Sequence, residues 1–136
     1  MPARGDAVPR RVVLDTCVLV AAGFRPDSAS GRLAQAVRAG RLLALWSPAT
    51  RAEGLAVLGR IPPLRGLDPD GLFPPAGRID GPLASDRYPS IPGETDRRFA
   101  ALADAHGAVL VTLDAPLLDG ALAHGLDARR PSQITR

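Results

Sequence analysis

Arg11-Val-Val-Leu-Asp15-Thr-Cys-Val-Leu-Val-Ala-Ala22 is the stretch that decides how the chain folds. Its first four residues make a short β-branched and apolar run, the pattern of a strand buried on both faces. The run ends in a carboxylate, Asp15, and a second apolar run, Val18 to Ala22, follows almost at once. An unpaired buried carboxylate is costly, so Asp15 makes little sense as core packing. It makes sense at the carboxyl end of a parallel strand, where open α/β sheets form their binding crevice.

Outward from this stretch, residues 1–10 read as a loose N-terminal arm, and Gly23 to Ser28 as a turn. A helix is expected over 29–39, with Ala29, Leu33, Ala36, Val37 and Gly40 on one face and Gly40 as its stop. Leu42 to Trp46 reads as a second strand. Ser47-Pro48 then opens a helix, with Ser as the N-cap and Pro at the first helical position. That helix carries Glu53 and ends near Ile61. The 61–93 segment is Pro- and Gly-rich without sustained periodicity, so it reads as a long loop with one or two short helical turns and mobility around them.

Thr95-Asp96 opens the next helix, with Phe99, Leu102, Ala103 and His106 inward and Gly107 at its end. Ala108 to Val111 reads as a strand running into Thr112-Leu-Asp114. A helix over 116–124, with Leu118, Ala121 and Leu122 inward, and a short strand over 126–128 complete the series. Strands alternating with helices imply a single α/β/α domain, residues 1–136, around a mainly parallel sheet covered on both faces.

Composition narrows the chemistry. All 17 basic residues are arginine, which removes a P-loop, Schiff-base catalysis and a lysine-dependent phosphorelay site. The net charge of +3 permits a polyanionic partner. No apolar run approaches the ~18 residues needed to span a bilayer. With no signal peptide recognised and one cysteine, Cys17, the expectation is a cytoplasmic protein without a membrane partner. Cys17 itself reads as a small packed residue.

Two strands end in a carboxylate, at Asp15 and Asp114, and two helices carry an acid in their N-terminal half, Glu53 and Asp96. In a parallel α/β sheet these positions share one rim, so all four acids can reach one crevice. Four carboxylates that close repel one another unless a cation neutralises them. An all-oxygen set with no Cys/His cluster suits Mg²⁺ or Mn²⁺ better than zinc.

The chain resembles the PIN-domain nucleases over nearly its whole length. The resemblance is carried by Val12-Val-Leu-Asp15-Thr16-x-Val-Leu-Val20, Trp46-Ser-Pro-x-x-x-x-Glu53, Asp96-Arg-Arg-Phe-Ala-Ala-Leu-Ala103 and Val109-Leu-Val-Thr112-Leu-Asp114, in that order and spacing. It implies that Asp15, Glu53, Asp96 and Asp114 hold one or two divalent ions that cleave RNA, and that Thr112 supports the last acid. It further implies the toxin half of a VapBC-type toxin–antitoxin pair, with RNA as substrate, a cognate antitoxin as partner and a homodimer as a common assembly. Cys17 stands where many members have Asn or Ser. Arg97 and Arg98, beside Asp96, are candidates for contacts to phosphate oxygens. The rival expectation is a PIN-fold module that binds RNA or protein without cutting; a DNA-directed nuclease of the same fold is a third. A haloacid-dehalogenase motif would need a second Asp where Cys17 stands, and a cysteine-phosphatase loop would need an Arg at Gly23.

Overall fold

Strand β1 (Arg10–Leu14) lies inside a four-stranded parallel sheet of order β2-β1-β3-β4. The computed structural model describes residues 10–65, 68 and 71–134. The expected arm, apart from Arg10, lies outside the described residues, as do positions 66, 67, 69 and 70 of the 61–93 segment. Arg10 belongs to the first strand, paired with Leu42, and not to the arm.

In chain order the other elements are α1 (Thr16–Phe24), α2 (Ala29–Arg38), β2 (Leu42–Ala44), α3 (Pro48–Gly59), α4 (Glu94–Ala105), β3 (Val109–Val111), α5 (Ala115–Ala123) and β4 (Ala128–Arg129). Alternation along the strands splits the core into two layers. Val12, Leu14, Val109 and Val111 face the side holding α1 and α2, where Val18, Leu19, Leu33 and Val37 pack. Val13 and Leu110 face the side holding α4 and α5, where Phe99, Leu102, Leu117 and Ala121 pack. The result is a three-layer α/β/α fold with a central parallel sheet.

Local signals set most boundaries. Ser47 accepts from the Thr50 N–H while Thr50 Oγ1 accepts from the Ser47 N–H, a reciprocal cap that starts α3 at Pro48. Gly40, beyond the end of α2, has φ of 78°, a left-handed conformation that stops the helix without Cβ strain. Two inward stripes differ from the sequence expectation. In α5 it is Leu117, Gly120 and Ala121 that are buried, while Leu122 is 51% exposed. Ala121 and the half-buried Leu118 lie inward as expected, and Leu117 takes the place expected of Leu122. In α4, His106 falls past the last helical residue as the C-cap and is only half-buried. The last strand covers Ala128–Arg129, not 126–128; Leu126 is buried just before it.

The 61–93 segment contains three short 3-10 turns, Pro62–Leu64, Pro75–Gly77 and Ser85–Arg87, where one or two were expected. It is anchored by side chains the periodicity could not mark. Leu72 and Phe73 enter the core layer of α1 and α2, and Tyr88 and Ile91 the layer of α4 and α5. Between these anchors the strap passes β2, the edge strand. The Trp46 N–H donates to the Gly77 carbonyl (2.9 Å) and the Ile79 N–H to the Trp46 carbonyl (2.8 Å), closing an edge that would otherwise be open. Gly77 permits this approach, because a Cβ there would fall 1.8 Å from the Ala44 carbonyl oxygen.

Candidate functional site

Strands β1 and β3 are direct neighbours, with Leu14 in register with Val111. The chain leaves β1 for β2 on one side and returns in β3 on the other, so the crevice at their carboxyl ends is the switch point of the sheet. Asp15 and Asp114 follow these two strands.

Thr112 ties the two strand ends together. Its fully buried hydroxyl donates to Asp15 Oδ2 and accepts the Asp114 backbone N–H at 2.9 Å. It thus holds the carboxylate of the first acid and the backbone of the last. Asp15 Oδ1 accepts the Val18 N–H at 3.1 Å and caps α1, and Asp114 Oδ2 accepts the Leu117 N–H at 3.0 Å and caps α5. Each aspartate therefore both starts a helix and stands at the rim.

A cleft of about 540 Å³ opens beside Asp15. Asp15, Glu53 from α3 and Asp96 from α4 line it, and Val20, Val57, Ile61 and Phe99 supply apolar wall. Asp114 is outside this lining but near enough to act on the others electrostatically. Burial pushes the Asp15 carboxyl up to about 6; the hydrogen bonds from Thr112 and Val18 oppose this, and the charges of Asp96 and Asp114 add to it. Asp96 is raised by burial, then by Asp114, then by Glu53. The four acids thus share one field. Among the described residues none of them has an arginine partner, in a chain that pairs Arg78 with Asp80, Arg98 with Glu94, and both Arg10 and Arg129 with Asp127.

The donor set suits a hard divalent cation: carboxylate oxygens with no neutralising partner, beside a hydroxyl with none. That hydroxyl is Thr16 Oγ1, which lines the cleft next to Asp15 and is buried without a hydrogen-bond partner. Thr16 is a site residue that the sequence marks only by its position immediately after Asp15. Among the described residues no group of three or more His, Cys, Asp or Glu side chains stands close enough to hold a metal ion as placed.

Cys17 is exposed on the cleft wall, not packed as expected. Its thiol is raised by partial shielding and then by Asp15, Asp114 and Asp96, which keeps it protonated and poorly nucleophilic. Arg97 donates to the carbonyls of Pro92 (3.1 Å) and Gly93 (3.4 Å), and Arg98 pairs with Glu94 at 3.6 Å. Both secure the start of α4, and neither lines the cleft.

No protein-family model matches the chain, and no curated protein matches it. Among solved structures it is similar to the crystal structure of PAE2754 from Pyrobaculum aerophilum, at 18% identity and a TM-score of 0.54, over 93% of each chain. At that identity the likeness is one of fold: the α/β/α arrangement described above extends over nearly the whole of both chains.

Proposed function

We propose that the cleft at the ends of β1 and β3 is the active site of a metal-dependent endoribonuclease, as the resemblance to PIN-domain nucleases implies. The observation that carries this is the convergence of Asp15, Glu53, Asp96 and Asp114 on one field with no arginine partner among the described residues. Asp15, Glu53, Asp96 and Asp114 would hold Mg²⁺ or Mn²⁺. When bound, the ion would supply Lewis-acid stabilisation of the phosphate and a water of lowered pKa. The chain's own part is positioning. Thr112 fixes the Asp15 carboxylate, the caps on α1 and α5 fix the backbone at both strand ends, and the Val20–Val57–Phe99 wall limits water around the acids. The thiol of Cys17 plays no nucleophilic role. The biological setting we propose is the toxin of a VapBC-type pair in the cytoplasm, with a cognate antitoxin as partner and a homodimer as its assembly.

The test is cleavage of RNA by purified protein with Mg²⁺ or Mn²⁺, with and without EDTA. Asp15→Asn and Asp114→Asn preserve side-chain shape and remove one charge each; the expected loss is roughly a hundred-fold or more in rate, with the fold retained. Full activity in EDTA, or in both variants, would overturn the proposal.

One observation favours a non-catalytic RNA- or protein-binding module of the same fold. Both oxygens of Asp15 and one of Asp114 already accept hydrogen bonds from the protein, so these acids have structural work without an ion. That module would show no cleavage with either metal.

A further inference from the structure

Helix α3 carries two charges of opposite sign two positions apart, Arg51 and Glu53, about 200° apart around the helix. Glu53 lines the acidic cleft, and Arg51 lines a different cavity of about 410 Å³. Trp46 and Phe73 form the buried floor of this second cavity, Pro48, Ala52 and Pro75 its rim, and Arg51 and Arg78 its two charges. No acid lines it.

The two arginines come from separate segments and meet on one indole. The Arg51 guanidinium lies 5.9 Å from the Trp46 ring centre and 5.7 Å from that of Phe73; the Arg78 guanidinium lies 5.7 Å from Trp46. Trp46 and Phe73 are themselves packed edge to face, with centroids 6.0 Å apart. Arg78 is held there by the strap, whose backbone bonds to Trp46 on either side of it. A guanidinium on an aromatic face spends its π-facing side and leaves its N–H donors directed outward. Arg78 uses one, Nε, on Asp80 at 3.0 Å. Among the described residues the Arg51 guanidinium has neither an acidic partner nor a hydrogen bond, while its backbone N–H donates to the Ser47 carbonyl at the start of α3. Two oriented guanidiniums over an acid-free aromatic floor match one ligand chemistry, a phosphate attached to a flat ring.

We propose that this cavity is a nucleotide-phosphate site: Arg51 and Arg78 grip the phosphate, and the base lies against the apolar rim of Pro48, Ala52 and Pro75. The ligand class is a nucleoside monophosphate unit, either free or as one nucleotide of an RNA chain. The site is independent of the acidic cleft and needs no metal.

Trp46 is the sole tryptophan, so its fluorescence reports on this cavity directly. The experiment titrates the full-length protein in EDTA with adenosine monophosphate, inorganic phosphate and a short single-stranded RNA. It follows Trp46 emission, checks binding by calorimetry, and compares the wild type with R51Q, R78Q and D15N. Expected are a saturable change with the monophosphate, weaker binding of phosphate, and affinity reduced roughly ten-fold or more in R51Q and in R78Q. D15N should bind as the wild type does, which separates failure here from failure of the nuclease proposal. Arg78 lies on the exposed strap, so R78Q keeps the test valid even if R51Q perturbs α3. RNA binding more tightly than the monophosphate and competing with it identifies a nucleotide of a chain as the ligand; the reverse order identifies the free nucleotide. No saturable binding by the wild type, or equal affinity in R51Q and R78Q, would overturn the proposal.

Discussion

The rim at the ends of β1 and β3 and the strap over 61–93 are built by opposite means. At the rim, neighbours in sequence do most of the work: β1 runs straight into Asp15, β3 reaches Asp114 by way of Thr112 and Leu113, and each aspartate caps the helix that follows it. Two hydrogen bonds to Asp15 span a long stretch of chain, from the Thr112 hydroxyl to its carboxylate and from its own N–H to the Val111 carbonyl. In the strap local bonds make only short 3-10 turns, and its position is set from afar. Leu72, Phe73, Tyr88 and Ile91 are fixed by distant partners, and its backbone is fixed by Trp46. The rim tolerates charge because hydrogen bonds hold it in place, whereas the strap tolerates Pro and Gly because side chains from both core layers hold it.

The sharpest way to break this contrast is at Gly77. Gly77→Ala puts a Cβ against the Ala44 carbonyl, backbone on backbone, where no side-chain rotation relieves it. The expected cost is about 3 kcal/mol or more, measured by denaturant unfolding, and the Trp46 environment should change with it. A variant as stable as the wild type would mean that the strap is not pinned to β2.

At the rim the comparable effect depends on pH. Burial raises Asp15 from 3.8 to about 6 in the folded protein, so the fold binds its proton more tightly than the unfolded chain does. The associated stabilisation is fully present below about pH 3.8 and is lost as pH rises through about 6, a change of about 3 kcal/mol in metal-free protein. Asp15→Asn removes this dependence, and Asp96, raised in the same direction, retains a share. Unfolding curves in EDTA across this window should therefore converge at low pH and favour the variant at neutral pH. A gap that widens in the wild type's favour as pH rises would contradict the assigned direction.

Thr112→Val sharpens the rim further. It deletes the donor to Asp15 and the acceptor of the Asp114 N–H inside a buried site, for about 1–3 kcal/mol. Because the Thr112 hydroxyl lowers the Asp15 pKa, the midpoint of the Asp15 titration, followed by carboxyl NMR, should move upward in this variant. An unmoved midpoint would remove Thr112 from the electrostatics of the site.

The smallest effect is a pattern of hydrogen exchange within the strap. The Ile79 and Ile91 amides are hydrogen-bonded and belong to anchored residues, and should exchange slowly. Gly81, exposed and without a backbone bond among the described residues, should exchange quickly. Uniformly fast exchange would restore the loose loop that its composition suggests.

This difference between the regions also explains what was legible beforehand. The β1 strand, Ser47-Pro48 and the aspartates after β1 and β3 follow short-range rules, and the parallel pairing of Leu14 with Val111 followed from strand–helix alternation. That Asp15, Glu53 and Asp96 line one cleft was readable for the same reason, since strand ends and the first halves of helices share a rim; Asp114 stands outside that lining. On α5, Ala121 and the half-buried Leu118 were readable, but Leu117 and Leu122 were not told apart, because leucines flank that face on both sides. Cys17 was misplaced because its surroundings in sequence are apolar while its position faces the cleft. The aromatic and arginine cavity was hidden because Arg78, Phe73 and Trp46 meet only once the strap has folded onto β2.

The proposed nuclease function requires Asp15, Glu53, Asp96 and Asp114 to bind a divalent cation together. Calorimetric titration of the metal-free protein with Mn²⁺ at neutral pH tests it most directly, with D15N, E53Q, D96N and D114N alongside. Saturable binding by the wild type, weakened roughly ten-fold or more in D15N and D114N and also reduced in E53Q and D96N, is the predicted result. A wild type that does not bind, or variants that bind equally well, would contradict it.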